Sequence, residues 1–460
     1  MKPALPTFRG CNHNARSLAL QILLDCRKHD AFVQEILDRQ FAAHTLSAAD
    51  RRLTTQLVYG VLRRRGTLRA LLQPLVNRPA HKVEAWLWDA LYLGAYQLTL
   101  LSHIPTHAAV HETVELAVSF GRPGARGFLN GILRRVSELM TAERTTGPAA
   151  DALPLEQGEY RQLSRPVFPD PATQPREYLT AAFSLPDWLV DRWLPRYGVE
   201  ECRRLGFWFA GPAPLTLRCQ PLRIEREQML EALRGAGHDA EAGEHPQAIR
   251  LHESGPIREW PGYTEGWFSV QDESAMRIAS ALAPEAGETV LDLCAAPGGK
   301  TTHLAELMRN TGRVVACDVD AQRLQTVTDL AQRLGLSIIE TCRWHGEELP
   351  LGPFDRVLVD VPCSNTGVLG KRPEVRWRLR PDDLRQLVAL QTRLLRAAIK
   401  RVRPGGVLVY STCSIEPEEN RQIVETVLEG RQDFRLETCE DAVPGWPADG
   451  GFWARLRRNG

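Results

Sequence analysis

The sequence predicts a multidomain protein with an all-α N-terminal domain, a small α+β domain and a C-terminal α/β domain with a doubly wound sheet. Two patterns support this. Residues 12–138 place apolar residues at helical spacing and show no strand-like alternation. From Gln271 onward, short apolar runs alternate with helical stripes, as in consecutive βαβ units. The predicted parts are 12–140, a linker over 141–180, 181–268 and 269–460.

The N-terminal part is basic. Residues 12–136 carry 16 Lys/Arg and 9 Asp/Glu, although the net charge of the whole chain is only +1. Arginine clusters such as Arg63–Arg65 form a solvated helix face in many proteins and bind nucleic acid in others. Charge alone therefore leaves both interpretations open.

The middle of the chain changes character twice. Residues 141–180 contain six prolines and few apolar runs, which predicts a stiff linker. Residues 181–268 mix helical stretches at 185–197 and 225–234 with strand-like runs at 215–219, 248–251 and 267–270. This mixture predicts a small α+β domain, and it lacks the aromatic signature of base-stacking RNA-recognition sheets.

The C-terminal part predicts a doubly wound sheet in which ligands bind beyond the carboxyl ends of the strands. The predicted strands are 289–293, 313–317, 337–341, 355–360 and 406–410, and the predicted helices are 273–283, 300–309, 321–334 and 382–402. After the first strand comes the glycine-containing turn Cys294–Lys300, which suits a nucleotide-type cofactor because glycine and a helix start expose backbone N–H groups. The turn lacks the full phosphate-binding pattern, in which four spacer residues separate a first glycine from Gly-Lys-Ser/Thr. Asp318 follows the second strand, where a ribose needs an acceptor.

Two cysteines follow the fourth and fifth predicted strands. Cys363 lies in Asp360-Val-Pro-Cys363, and Cys413 lies in Thr412-Cys413. A single cysteine at a strand end most often packs inertly, but two at one edge beside a cofactor turn indicate chemistry. A thiolate that adds to carbon 6 of cytosine makes carbon 5 nucleophilic toward a methyl group. Lys371, Arg372 and Arg376 are candidates for lowering the thiol pKa.

With these motifs, residues 271–458 resemble the Sun-type RNA (cytosine-C5)-methyltransferases. The resemblance implies S-adenosyl-L-methionine as cofactor, Cys413 as nucleophile, Cys363 as the thiol that aids product release, and Asp360 near both cofactor and base. It implies that Gln271–Asp272 closes the site. The implied cofactor contacts are Cys294, Ala295, Ala296, Pro297, Gly298, Gly299, Lys300, Asp318, Asp360 and His345. His345 or Glu347 stands in for an acidic residue that the family usually has here. The implied RNA contacts are Lys371, Arg372, Arg376 and Trp377.

The N-terminal part resembles the NusB family of RNA-binding helical domains in residues 104–117 and 127–135. The order of a NusB-like domain, a small α+β domain and a Rossmann-like methyltransferase domain resembles that of the small-subunit ribosomal RNA enzymes. This order implies methylation of one cytosine in 16S ribosomal RNA. Separately, we expect the enzyme to be a monomer. Transfer RNA, 23S ribosomal RNA or DNA remains an alternative substrate, and a DNA enzyme would use Cys363 as nucleophile. A non-catalytic RNA-binding assembly factor is the alternative of another class.

Composition excludes several other classes. The chain is 43% hydrophobic and 25% charged, as expected of a globular protein. Its ten cysteines contain no Cys-x-x-Cys pair, so we expect neither a disulfide scaffold nor a metal site. The apolar stretch 86–104 carries Asp89 and His103, which argues against a membrane span. No signal peptide is visible, and we expect a cytoplasmic protein with reduced thiols.

Overall fold

The computed structural model describes residues 14–28, 31–156, 158–252, 255–344 and 352–460. They form two compact units. The first unit extends to Pro212 and also includes Leu369–Arg378, and the second contains Ala213–Val368 and Leu379–Gly460. No helix among these residues is both long enough and apolar enough to cross a bilayer.

The first unit begins with six helices, which confirms the all-α prediction for the N-terminal domain. Side chains cap two of them: Asn14 accepts from the backbone N–H of Ser17, and Ser47 accepts from that of Asp50. Gly94 lets neighbouring helices pack closely, because an added Cβ would lie 2.7 Å from Leu133 Cδ2. The helices are α1 (Ala15–Cys26), α2 (Val33–Ala43), α3 (Ala48–Leu72), α4 (Ala85–Leu100), α5 (Thr106–Ser119) and α6 (Arg126–Leu139).

The first unit continues through the segment where the sequence predicts a linker. Residues 141–180 contain most of a three-stranded sheet of order β1-β3-β2 and the start of a helix. The first strand is largely polar and none of its residues is fully buried, which explains why the sequence shows no alternation here. Buried rings hold the segment in place, since Tyr160 and Phe183 both pack edge-on against Phe207. The elements are β1 (Met140–Thr145), β2 (Ala152–Pro154), β3 (Tyr160–Leu163), α7 (Pro175–Phe183) and α8 (Asp187–Ala210).

The second unit starts with the small α+β domain that the sequence predicts. Its four strands form an antiparallel sheet of order β5-β6-β4-β7. Leu217, Ile249 and Phe268 from the sheet pack with Met229 and Leu233 from the helix in one buried cluster. The elements are β4 (Leu215–Cys219), α9 (Arg226–Gly235), β5 (Ala240–Ala242), β6 (Ala248–Leu251) and β7 (Phe268–Val270).

The rest of the second unit is a seven-stranded sheet of order β10-β9-β8-β11-β12-β14-β13, which confirms the doubly wound fold. The five predicted strands are parallel, and the two added strands at one edge are antiparallel. Alternate side chains fill two cores: Val290 and Val314 face one, Leu291 and Val315 the other. The strands are β8 (Thr289–Leu293), β9 (Arg313–Asp318), β10 (Ile339–Arg343), β11 (Phe354–Asp360), β12 (Val402–Thr412), β13 (Phe434–Ala442) and β14 (Gly451–Arg458). The helices are α10 (Glu273–Leu282), α11 (Gly299–Leu307), α12 (Ala321–Leu334), α13 (Pro381–Ile399) and α14 (Arg421–Leu428).

Strand order changes direction beside β8, which pairs with β9 on one side and with β11 on the other. At such a switch point the loops after the strands diverge and leave a crevice at the carboxyl edge of the sheet. The turn Cys294–Lys300 follows β8, the segment containing Cys363 follows β11, and the segment containing Cys413 follows β12. The fold therefore brings the predicted site segments to one edge.

Candidate active site

The two cysteines meet beyond the carboxyl ends of β11 and β12. Strand register pairs Asp360 with Ser411, and each cysteine follows two or three residues later. The Sγ atoms of Cys363 and Cys413 lie 3.2 Å apart. The backbone N–H of Gly367 donates to the carbonyl of Cys413 at 3.0 Å and ties the two loops together. The two thiols therefore lie close enough together for one small substrate group to contact both.

Asn365 is a site residue that sequence reasoning missed. Its Oδ1 accepts from the Cys413 thiol at 3.2 Å, and its Nδ2 donates to the carbonyl of Cys363 at 2.8 Å. Its backbone is left-handed, with φ +58°, a conformation that asparagine tolerates better than most residues. An asparagine two residues after a strand-end cysteine was the available signal. Its side chain fixes the orientation of both cysteines.

Lys300 and Asp360 form an ion pair next to the thiols. Lys300 Nζ donates to Asp360 Oδ2 at 2.7 Å, and the Ser411 hydroxyl donates to Oδ1 at 2.8 Å. Burial lowers the pKa of Lys300, but the charge of Asp360, the hydrogen bond to it and the nearby Cys413 outweigh burial and raise that pKa overall. The ammonium group therefore stays protonated, and its positive charge favours the thiolate form of Cys413.

The turn after β8 has the backbone that a nucleotide-type ligand requires. Gly298 has φ +104°, and a Cβ there would lie 3.1 Å from Val327 Cα, so only glycine fits. Helix α11 begins at Gly299. Below the turn, the Thr301 hydroxyl donates to Asp292 Oδ2 at 2.6 Å, and burial raises the pKa of Asp292 to about 7.

Asp318 lies at the end of β9, beside this turn. Its Oδ2 accepts from the backbone N–H of Ala296 at 3.2 Å, and its Oδ1 accepts from that of Asp320 at 3.1 Å. The carboxylate of Asp318 suits ribose hydroxyls as an acceptor, and the N–H groups at the start of α11 suit the carboxylate of an amino acid as donors. This set of donors and acceptors fits S-adenosyl-L-methionine. His345, the remaining predicted contact, lies outside the described residues.

Within the described residues, no group of three or more His, Cys, Asp or Glu side chains is arranged to hold a metal ion. None of the described cysteines forms a disulfide.

Comparison with known proteins identifies the family. Residues 279–445 match the family model described as 16S rRNA methyltransferase RsmB/F, residues 13–138 match the NusB family, and residues 185–258 match the ferredoxin-like domain of the RsmF/B-like enzymes. The chain is 38% identical over 440 residues to the probable ribosomal RNA small subunit methyltransferase B of Synechocystis, covering 94% of this chain and 92% of that protein. The chain belongs to the ribosomal RNA small subunit methyltransferase B family.

Another relative and a solved structure are similar to nearly the whole chain. The probable small subunit methyltransferase B of Bacillus subtilis is 35% identical over 437 residues, covering 94% of this chain and 92% of that protein. The crystal structure of PH0851 superposes with a TM-score of 0.75 at 26% identity, over 96% of this chain and 98% of that one. The multidomain fold and the methyltransferase class predicted from sequence are therefore confirmed.

In this methyltransferase, Arg218 connects the small α+β domain to the cofactor turn, and sequence reasoning missed it. Arg218 is fully buried and pairs with Glu306 at 2.7 Å. It also donates to the carbonyl of Gly299 at 2.6 Å, to Thr302 Oγ1 at 3.0 Å and to Gln271 Oε1. Gln271, predicted to close the site, thus lies in a buried network below the turn. No sequence motif marks Arg218, because its partners are distant along the chain.

The segment 369–378, which contains the predicted RNA contacts, belongs to the first unit. Arg376 is buried in the first unit, where its guanidinium donates to the backbone carbonyls of Arg63, Phe209 and Leu369. Five guanidinium donors can satisfy several carbonyls at once, which explains how so polar a side chain fills an interior position. Arg376 therefore packs within the first unit in this structure, and its role in RNA contact stays a prediction.

Two neighbours of Arg376 are also engaged within the first unit. Trp377 Nε1 donates to the carbonyl of Leu62 at 2.9 Å, and Arg372 lies 4.0 Å from the ring centre of Phe32. Lys371 and Arg372 are half-buried. A role in RNA contact remains a proposal for Lys371, Arg372 and Trp377.

Proposed function

We propose that this enzyme methylates carbon 5 of one cytosine in 16S ribosomal RNA through a covalent bond between Cys413 and carbon 6 of the base. The observation that carries the proposal is the pair of thiols 3.2 Å apart, next to the ion pair of Lys300 and Asp360. Acyl or phosphoryl transfer gives no role to a second thiol at this distance, whereas addition and elimination at a pyrimidine gives a role to each: one thiol adds to the ring and the other assists release.

Cys413 performs the addition. Its thiolate attacks carbon 6, and the electron pair of the 5,6 double bond moves so that carbon 5 becomes nucleophilic. The ammonium group of Lys300 favours the thiolate, and Asn365 directs the sulfur. Asp360, oriented by Lys300 and Ser411, accepts a hydrogen bond from the amino group at the polar edge of the ring, and the ammonium group of Lys300 offsets the negative charge that the addition places on the ring.

Cys363 assists release of the product. The carbon 5 proton passes to a general base, its bond pair restores the double bond, and the carbon–sulfur pair returns to Cys413. The hydrogen bond with Cys413 and burial raise the pKa of Cys363 well above its usual value. Cys363 thus remains a protonated thiol, which can hydrogen-bond to the departing sulfur.

S-adenosyl-L-methionine supplies an electrophilic methyl group on a sulfonium centre. The turn Cys294–Lys300 would hold the amino-acid end of this cofactor, and Asp318 would accept hydrogen bonds from the ribose. Asp360 contacts Lys300, the last residue of this turn, and precedes Cys363 by three residues. The Gly298 and Asp318 geometry and the family membership support this assignment.

Ribosomal RNA is the substrate that the comparisons favour. The relatives in Synechocystis and Bacillus subtilis are named for the ribosomal small subunit, and residues 13–138 match the NusB family. A cytosine within a helix has to leave the stack before a thiol can reach carbon 6. Because phosphate contacts release counterions, we expect RNA affinity to fall steeply with salt concentration.

Separate cysteine variants test the mechanism. We expect Cys413→Ala to abolish methyl transfer from labelled S-adenosyl-L-methionine, since no nucleophile remains. Cys363→Ala should instead accumulate an RNA adduct that survives denaturing electrophoresis. Cys439→Ala, on the edge strand β13, should behave like the wild type.

The alternatives predict other results. Loss of activity in Cys363→Ala together with retained activity in Cys413→Ala would make Cys363 the nucleophile, as in a DNA enzyme. Methylation of transfer RNA or 23S ribosomal RNA in preference to 16S would change the substrate. Absence of cofactor binding in calorimetry would favour a non-catalytic assembly factor.

A further inference from the structure

A serine directly follows each of the two cysteines, and both serines bind the same carboxylate. The hydroxyls of Ser364 and Ser414 each donate to Oε2 of Glu419, and the two hydroxyl oxygens lie 3.0 Å apart. The segments Cys363–Ser364 and Cys413–Ser414 are therefore joined twice, once between the thiols and once through Glu419.

The other oxygen of Glu419 extends this connection. Oε1 accepts from the backbone N–H of Ser364 and from Gln391 Nε2, each at 2.8 Å. Gln391 also donates to the carbonyl of Pro362, the residue before Cys363, at 2.8 Å. Two hydrogen bonds reach each carboxylate oxygen, which saturates the group and fixes its orientation.

This network is buried and costly. Glu419, Gln391 and Ser414 are fully buried, and Ser364 is 1% exposed. Burial raises the pKa of Glu419, while the hydrogen bonds from Ser364, Ser414 and Gln391 oppose that rise. Well-packed apolar residues are often at least as stabilising as a buried charge. A buried carboxylate at this position therefore needs an explanation other than stability.

We propose that Glu419 is a positioning residue that sets the separation and orientation of the Cys363 and Cys413 thiols through Ser364 and Ser414. The inference rests on the proposed function, in which the nucleophile and the releasing thiol act on one base. Glu419 acts on both loops through Ser364 and Ser414 rather than on the thiols themselves.

A specific kinetic pattern follows. Displacement of a reacting group by about 1 Å costs on the order of 100-fold in rate. Loss of Glu419 should therefore lower kcat and leave the KM for RNA and the Kd for S-adenosyl-L-methionine nearly unchanged. A residue needed only for folding would instead lower the melting temperature and reduce the amount of active enzyme, without changing kcat per active site.

The test compares Glu419→Gln with Glu425→Gln, which removes the same charge from an exposed position on α14. We expect kcat to fall at least tenfold in the first variant and to stay within twofold of the wild type in the second. A second readout is independent of methylation. The diazene oxidant diamide, which takes up the two thiol hydrogens, should form the Cys363–Cys413 disulfide rapidly in the wild type and several-fold more slowly in Glu419→Gln, as measured by peptide mass spectrometry.

Wild-type kcat and a wild-type disulfide rate in Glu419→Gln would overturn the inference. If this variant does not fold, Ser364→Ala and Ser414→Ala keep the carboxylate and each remove one connection, and both should slow disulfide formation. Unchanged rates in both serine variants would also refute the role of Glu419. An inactive wild type with a rapid disulfide reaction would instead contradict the proposed function and leave the positioning role standing.

Discussion

Replacement of Arg218 by methionine should strongly destabilise the second unit. Arg218 donates five hydrogen bonds, and its partner Glu306 is 1% exposed in its side chain. Burial raises the pKa of Glu306, and Arg218 opposes that rise. Without Arg218, Glu306 has to stay charged without its partner or take up a proton.

The expected loss in the free energy of unfolding follows from the burial of this ion pair. Removal of one partner from a buried ion pair costs about 3–5 kcal/mol, because the other charge remains without compensation. The carbonyl of Gly299 also loses a donor at 2.6 Å, so cofactor affinity should fall as well. The matched control is Arg313→Met, whose pair with Glu340 is 51% and 56% exposed. Exposed pairs contribute about 0–1 kcal/mol.

Urea unfolding followed by circular dichroism measures the difference in the free energy of unfolding between each variant and the wild type. The double variant Arg218→Met/Glu306→Met should recover much of the loss, because it leaves no buried charge. A loss below about 1 kcal/mol in Arg218→Met, similar to that of Arg313→Met, would refute the buried-pair reasoning.

Three further predictions concern other parts of the chain. Gly94→Val should destabilise the first unit by about 1–3 kcal/mol through overpacking, since its Cβ would lie 2.7 Å from Leu133. Gly131→Ala, with open space around its Cβ, should instead gain up to about 1 kcal/mol in urea titrations. Burial lowers the pKa of His303 well below its usual value. When the pH is below that usual value, the unfolded state therefore binds a proton that the native state does not. Stability should then fall by about 1.4 kcal/mol per pH unit as pH drops below about 6.5, and His303→Gln should remove this part of the slope. Asp318→Asn should weaken S-adenosyl-L-methionine binding in calorimetry at least tenfold and leave RNA binding intact; equal cofactor affinity would exclude the ribose contact.

The sequence was most informative where local pattern and position in the fold coincide. The strands at 289–293 and 355–360 are short apolar runs bounded by turn residues, and the structure places them at 289–293 and 354–360. Because parallel strands end at a common edge, strand-end residues such as Cys363 and Cys413 could be grouped before the structure was known.

The sequence was least informative where contacts join distant segments. Arg218 and Glu306 are 88 residues apart, and neither stands in a recognisable motif. Arg376 looked like an RNA contact because it is a basic residue in a family motif, yet backbone carbonyls from three separate segments bury it. Such roles depend on tertiary packing, which periodicity does not encode.

The linker prediction shows a related limit. Proline content and the polar strand Met140–Thr145 indicated an irregular segment, but Tyr160 and Leu163, at the two ends of a short strand, are both buried. A strand of four residues with two buried side chains is too short for its alternation to be distinguished from chance.

The most direct test of the mechanism is to trap the bond to the base. A 16S ribosomal RNA transcript containing 5-fluorocytidine carries no proton at carbon 5 of its cytosines, so elimination after methyl transfer is blocked. Incubation with enzyme and S-adenosyl-L-methionine, followed by protease digestion and mass spectrometry, should yield a methylated fluorocytidine on the peptide that contains Cys413. The same modification on Cys363, or methylated RNA without any protein adduct, would contradict the account.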